Sequence, residues 1–149
     1  MTGPITWEQP AMVMHHGRRR PNYGDDDRFN AEWWGEHGNF TPPDYQWRSY
    51  RRDGQEIARA LLVLSFTSHT PDHAGPALLI WNFEVRRDLQ RTGEHIGTEL
   101  VQALAAEYPD REIYSGPTPQ SMPFWKRFGW PMCDCEDCFG RNLVVRRPA

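Results

Sequence analysis

The chain has 149 residues and a mass of 17.4 kDa, a length that suits one domain of ordinary size. Apolar residues make up 38% of it, and 7 Trp, 5 Tyr and 7 Phe can fill a core. With 20 acidic against 17 basic side chains the formal charge is -3, which excludes a protein held to nucleic acid mainly by bulk charge. The longest apolar runs, such as Ala60 to Leu64 and Pro76 to Trp81, fall far short of the roughly 20 residues a membrane helix needs. No basic start followed by an apolar stretch marks a signal peptide. Three cysteines crowded near the C-terminus do not read as a secreted disulfide framework, so a soluble cytoplasmic protein is expected. Lys126 is the only lysine, a bias toward arginine that points to a GC-rich, bacterial genome.

The first 50 residues are the least regular. Ile5 to His16 reads as one strand, and Gly17 to Asp27, with Arg18-Arg19-Arg20 and Asp25-Asp26-Asp27, as a solvated loop. Asp27 is placed to cap a short helix over Arg28 to Glu36, with Trp33 and Trp34 on its apolar side, and Gly35, Gly38 and Pro42-Pro43 break the chain. Gln46 to Arg52 alternates as a strand, Asp53-Gly54 is a hairpin turn, and Glu56 to Phe66 continues as a long strand. After a polar loop, Ala77 to Val85 is nearly continuous in apolar residues, as in a strand covered on both faces. Ile96, Leu100, Leu104 and Tyr108 recur every fourth residue, which predicts an amphipathic helix that Pro109 stops. Glu112 to Ser115 is a short strand, Thr118 to Phe128 a helix closed by Gly129, and Leu143 to Arg146 a last strand. This order predicts an α/β or α+β layer arrangement.

The most informative stretch is Val85 to Val101, where a buried strand ends, a loop with Gly93 and Gly97 follows, and an amphipathic helix starts at once. The first turn of a helix has amide hydrogens without intrahelical partners and carries partial positive charge. Glycine lets such backbone approach a phosphate, so the stretch can bind a pyrophosphate. Taken alone, it equally suits a tight strand-to-helix turn that binds nothing.

A second stretch, Tyr114 to Trp130, reads as a strand followed by a short helix ending in Phe124-Trp125-x-x-Phe128-Gly129-Trp130. Together the two stretches resemble the GNAT superfamily of N-acetyltransferases, over about Tyr45 to Trp130. In that family a strand leads to a Gln/Arg-x-x-Gly-x-Gly/Ala loop that cradles the pyrophosphate of acetyl-CoA. A later helix carries an Asn-x-x-Ala-x-x-Phe-Tyr-x-x-x-Gly-Phe-like pattern. The resemblance implies a GNAT-like mixed, mostly antiparallel sheet of about six or seven strands flanked by helices, in a single domain. Residues 1–44 would be an irregular strand and helix part, 45–130 the acyl-CoA-binding core and 131–149 the C-terminal strands with the cysteine cluster.

By the same resemblance Gln90, Arg91, Thr92 and Gly93 open the phosphate loop, but His95 stands where a small residue belongs. Aligning the helix instead places Ile96, Gly97 and Thr98 on the family's Ile-Gly-Thr, so the cradle would run from Thr92 to Thr98, with Arg91 as its charged partner and Glu94 turned outward. In the second motif Thr118 takes the Asn position, Ser121 the Ala position and Trp125 that of the usual Tyr, which in many relatives protonates the departing thiolate. Indole is too weak an acid for that work. Trp125 would pack beside the pantetheine arm, leaving Tyr114, a water or no acid for the leaving group. Phe124, Phe128 and Trp130 also suit plain core packing.

The mechanism implied is direct attack of a neutral primary amine on acetyl-CoA or another short acyl-CoA. The strand ending at Val85 would bind pantetheine like an added strand, and an amide near Phe83 or Val85 would hold the oxyanion. Glu84 is the first candidate base, with an ordinary surface glutamate as the other reading of it. His69, Asp72 and His73, in the loop before that strand, come second and also suit a solvent-exposed loop. The family often forms dimers. The alternative function is a non-catalytic acyl-CoA-binding module, or an interaction protein stabilised by metal.

Cys133-x-Cys135-x-x-Cys138 is tight enough for zinc, with a histidine as a possible fourth ligand, but it has no second Cys-x-x-Cys pair, and reduced thiols in a loop or a redox role also fit. His69 and His73 have helical metal spacing, which Pro71 between them opposes, and His15-His16 reads as surface. The sequence contains no Gly-x-Ser-x-Gly elbow, Walker loop or His-Glu-x-x-His, so hydrolase, nucleotidase and zinc-protease readings lack support.

Overall fold

Alternation, apolar runs and turn chemistry set the strands. The computed structural model describes residues 3–34, 44–73, 75–136 and 142–148. Its elements run β1 (Thr6–Glu8), β2 (Ala11–His15), β3 (Arg18–Asn22), α1 (Ala31–Trp34), β4 (Tyr45–Arg52), β5 (Gln55–Phe66), β6 (Ala77–Val85), α2 (Ile96–Glu107), β7 (Ile113–Ser115), α3 (Met122–Lys126) and β8 (Val144–Arg146). Six strands form one sheet in the order β1-β4-β5-β6-β7-β8, while β2 and β3 form a separate hairpin. Every pair in the large sheet is antiparallel except β6 with β7. The fold is therefore mixed α/β with a mostly antiparallel sheet, as the sequence predicts. Among the described residues no helix is long and apolar enough to cross a membrane.

The β4–β5 turn is Asp53-Gly54, with φ of 53° and 78°, the pair of left-handed residues a type I′ hairpin requires. A second turn of this kind, His16-Gly17 at φ 50° and 76°, corrects the expectation for the N-terminus. The arginine run is a strand and not a loop: Arg19 and Arg20 pair with Met14 and Val13. The hairpin leaves Val13, Met14 and Arg19 at the surface.

The two faces of the sheet have different covers. On one, Ala60, Leu62, Leu78 and Ile80 pack against Ile96, Leu100, Val101 and Leu104 of α2, with Trp125 of α3. Buried Arg48 grips Glu107 at the far end of α2 through two bonds of 2.8 and 2.9 Å, and Arg52 reaches Glu99 at 2.6 Å. On the opposite face, Trp34, Phe29, Trp47 and Leu61 form a second cluster beneath α1. The cap of α1 is Asn30, whose Oδ1 accepts from the Glu32 amide at 3.0 Å, in place of the expected Asp27. The expected ends of the chain break at Gly35, Gly38 and Pro42-Pro43, with Glu36, lie outside the described residues.

One irregularity falls in β6. Leu61 pairs with Asn82 but Leu62 pairs with Ile80, so Trp81 is an extra residue, a β-bulge. Leu78, Ile80, Phe83 and Val85 all lie with the α2-side core.

Candidate active site

The parallel contact between β6 and β7 is short. Leu78, Leu79 and Ile80 pair with Ile113, Tyr114 and Ser115, after which β7 gives way to Gly116-Pro117. From Trp81 to Val85 the edge of β6 that faces away from β5 has no strand partner among the described residues. The Arg86 amide donates to Ile57 of β5 at 2.8 Å, so the preceding Val85 carbonyl points the other way. By the alternation of an antiparallel ladder, Val85 and Phe83 both turn their N–H and C=O groups to this open edge. The Val85 carbonyl takes a 2.7 Å bond from the Gln90 side chain.

The gap between the separating strands opens into a cleft of about 900 Å³. Its floor is β6 from Ile80 to Val85, and its far wall is Ser115, Gly116 and the segment leading into α3. The start of α2 closes one end, with Ile96, Gly97 and Thr98 in the wall and no side chain capping the helix. The amides of this first turn have no intrahelical acceptor. The loop before it is tightly wound: Arg91, Gly93 and His95 all have φ between 54° and 85°, conformations that only Gly93 adopts without steric cost.

Of the predicted cradle, Gln90, Arg91, Gly93, His95, Ile96, Gly97 and Thr98 line the cleft. Thr92 is not in the wall; its hydroxyl donates to the Leu89 carbonyl at 3.1 Å and accepts from the Glu94 amide, fastening the loop. Gly97 has a packing reason beside the predicted one. A Cβ there would stand 3.1 Å from Cε2 of Phe124 and 3.5 Å from Val85, so glycine lets α2 close against α3. Thr118 and Ser121 also reach the cleft, but they bond mainly to each other: the Thr118 amide donates to Ser121 Oγ at 2.9 Å and the Ser121 amide to Thr118 Oγ1 at 3.2 Å. This locked turn delays α3 to Met122, four residues later than the sequence predicts. Trp125, only 4% exposed, lies at the inner wall among Phe124, Phe128 and Trp130.

Glu84 lies on the α1 side of the gap. Its Oε1 accepts from the Asn30 amide at 2.8 Å and the Trp34 indole at 2.7 Å, while the side chain also lines the cleft beside Trp33 and Trp81. The slit between β6 and β7 thus joins a face with an uncapped helix start to a face with an anchored carboxylate.

Tyr114 is not brought to the cleft. It is fully buried; its hydroxyl accepts from the His69 amide at 2.9 Å and donates to Glu112 at 3.2 Å, so the reading of Tyr114 as an acid for a leaving group is corrected. Burial pushes its pKa further up. The alternation of β7 explains the direction: Ile113 faces the α2-side core and Ser115 the cleft, so Tyr114 between them faces away. His69, Asp72 and His73 likewise do not line the cleft. Cys133 and Cys135 lie beside His69, and Cys138 falls outside the described residues.

Sequence reasoning did not find Asn30, Trp34 or Trp81 as parts of this site. The Asn30 side chain just ahead of Ala31 was the available cap signal; the reach of its amide to Glu84 is a tertiary contact across 54 residues.

No family model matches the chain, and no curated protein does. Among solved structures it is similar to a Corynebacterium glutamicum protein described as histone acetyltransferase HPA2 and related acetyltransferase. The two share 16% identity with a TM-score of 0.45, over 72% of this chain and 66%, just under two thirds, of that one.

Proposed function

We propose that the protein transfers an acetyl or other short acyl group from acyl-CoA to a primary amine by direct attack. The observation that carries this reading is the open edge of β6 beside the uncapped first turn of α2, both in the wall of one cleft. Pantetheine carries amide groups at strand-like spacing, and it would pair with Phe83 and Val85 as an added strand. The pyrophosphate would lie against the amides of Ile96, Gly97 and Thr98, with Arg91, also in the wall, supplying a full positive charge.

An unused N–H of the β6 edge would stabilise the oxyanion as the amine nitrogen attacks the thioester carbon. Glu84 accepts the proton that the ammonium must lose, directly or through water, using Oε2, which has no partner among the described residues. The C–S bond then breaks, the acyl group stays on nitrogen, and the second proton that this nitrogen must lose passes through water to the departing thiolate. The acceptor would enter from the α1 side, past Trp33 and Trp81.

Release of free CoA thiol from acetyl-CoA, measured against a panel of primary amines, tests the proposal. Amine-dependent release is expected. Binding of acetyl-CoA without release would instead favour the non-catalytic acyl-CoA module, which the placement of Trp125 and Tyr114 also fits. No binding would overturn both.

A further inference from the structure

On the opposite face of β7 from the cleft, three soft-metal donors from distant parts of the chain meet. Cys133 Sγ lies 3.5 Å from Cys135 Sγ, and His69 Nδ1 lies 3.3 Å from Cys135 Sγ and 4.0 Å from Cys133 Sγ. We propose that His69, Cys133 and Cys135 bind a thiophilic divalent cation, with Zn²⁺ the ion their chemistry suits best.

The triangle has the right size. With Zn–S of about 2.3 Å and Zn–N of about 2.0–2.1 Å, tetrahedral angles place two sulfurs about 3.8 Å apart and a sulfur and nitrogen about 3.6 Å apart. The observed sulfur separation of 3.5 Å and the mean of the two nitrogen–sulfur distances, 3.3 and 4.0 Å, fall within a few tenths of an ångström of this. One ion can therefore touch all three donors and keep a fourth position.

The donors are also held from behind. The His69 ring stacks on Phe66 at a centroid distance of 5.4 Å and lies tilted against Tyr114 at 5.2 Å, and its amide is fixed to the Tyr114 hydroxyl. The residues on either side, Ser68 and Thr70, both donate to Glu112, a carboxylate only 1% exposed. Cys133 is anchored by its amide, which donates to the Leu143 carbonyl at 2.7 Å, next to the bridge between Met132 and Val144. Such outer contacts are what orient metal ligands. They place the imidazole and the Cys133 thiol through main-chain and buried contacts that need no ion, and Cys135, two residues on, lies within 3.5 Å of both. Asp134 and Glu136, both exposed, add negative charge nearby. The ion would clip the loop between β5 and β6 to the segment that leads into β8. The site stands apart from the cleft, so it does not depend on the acyl-transfer reading.

The full chain, stripped with a chelator under reductant, would be titrated with Zn²⁺ against a chromophoric chelator. One equivalent is expected, with about two protons released as the thiols ionise and a higher Tm for the loaded protein. Co²⁺ should give a thiolate-to-metal charge-transfer band and a tetrahedral visible spectrum. Cys135→Ser and His69→Ala should each weaken Zn²⁺ binding at least 10-fold. Less than half an equivalent bound by the wild-type chain, absence of the thiolate band, or wild-type affinity in both variants would each overturn the proposal. The first two are read on the unmodified protein, so a variant that fails to fold does not shield it.

Discussion

Glu84→Gln separates the chemistry of Glu84 from its place in the fold. The glutamine carbonyl can still accept from Asn30 and Trp34, which now donate at 2.8 and 2.7 Å. A bond to a charged acceptor contributes about 1.5–3 kcal/mol and one to a neutral acceptor about 0.5–1.5, so by the middles of these ranges the pair together loses about 2–3 kcal/mol. At about 2–4 °C per kcal/mol for a chain of this size, Tm falls by less than about 12 °C and the protein remains folded at 25 °C. Losing a general base costs about 10²–10⁴-fold in rate. Amine-dependent thiol release at saturating acetyl-CoA should therefore drop at least about 100-fold near neutral pH. The deficit should shrink as pH approaches the alkylammonium pKa of about 10.4, where solution supplies the free amine. Glu84→Ala should cost more stability, because the Trp34 indole, in a residue 3% exposed, loses its acceptor at about 1–3 kcal/mol. Turnover of the Gln variant within threefold of wild type at every pH would refute the assignment of the base.

Three further outcomes are expected. Val85→Pro removes an N–H that β5 does not use, so acetyl-CoA affinity of the folded variant should fall about 2- to 12-fold by calorimetry, the worth of one neutral hydrogen bond. Gly97→Ala places a Cβ 3.1 Å from the Phe124 ring and should destabilise by about 1 kcal/mol, and Phe124→Leu in the same chain should recover part of it in a double-mutant cycle. Burial raises the Glu112 pKa, but bonds from Ser68 and Thr70 outweigh it and hold the carboxyl below its ordinary value. The anion therefore adds stability above the unfolded carboxyl pKa of about 4.3, and that stability is lost as pH falls through the lower folded value. Calorimetry from pH 7 to 3 should show a shallower acid loss of Tm in Glu112→Gln than in wild type, from a lower starting point.

The parts of the fold that were legible in the sequence are those set by neighbours along the chain. The Asp53-Gly54 turn, the apolar run of β6 and the four-residue spacing of α2 each fix an element within a residue or two of its observed ends. The arginine strand was missed because an exposed hairpin has no apolar pattern to show, and only the His16-Gly17 pair signalled it. At the site, the phosphate-loop stretch is contiguous and readable, whereas the anchoring of Glu84 depends on residues 50 and 54 positions away. The direction of Tyr114 was hidden because all three residues of β7 are buried, which erases the usual alternation of exposed and buried. Cys133 and Cys135 meet His69 across 64 and 66 positions, a distance no spacing rule spans.

The extra residue at Trp81 switches the face of the sheet that every later side chain of β6 takes. Had the ladder run unbroken from Ile80, residues 82 and 84 would share the hemisphere of α2, and 83 and 85 the hemisphere of α1. The carboxylate would then project toward the helix start, where an incoming diphosphate would repel it, and the tryptophan and asparagine that tether it would face apolar carbon instead. Under the proposed acyl-CoA reading, a single inserted backbone unit thus sorts acid from anion across the two mouths of the slit.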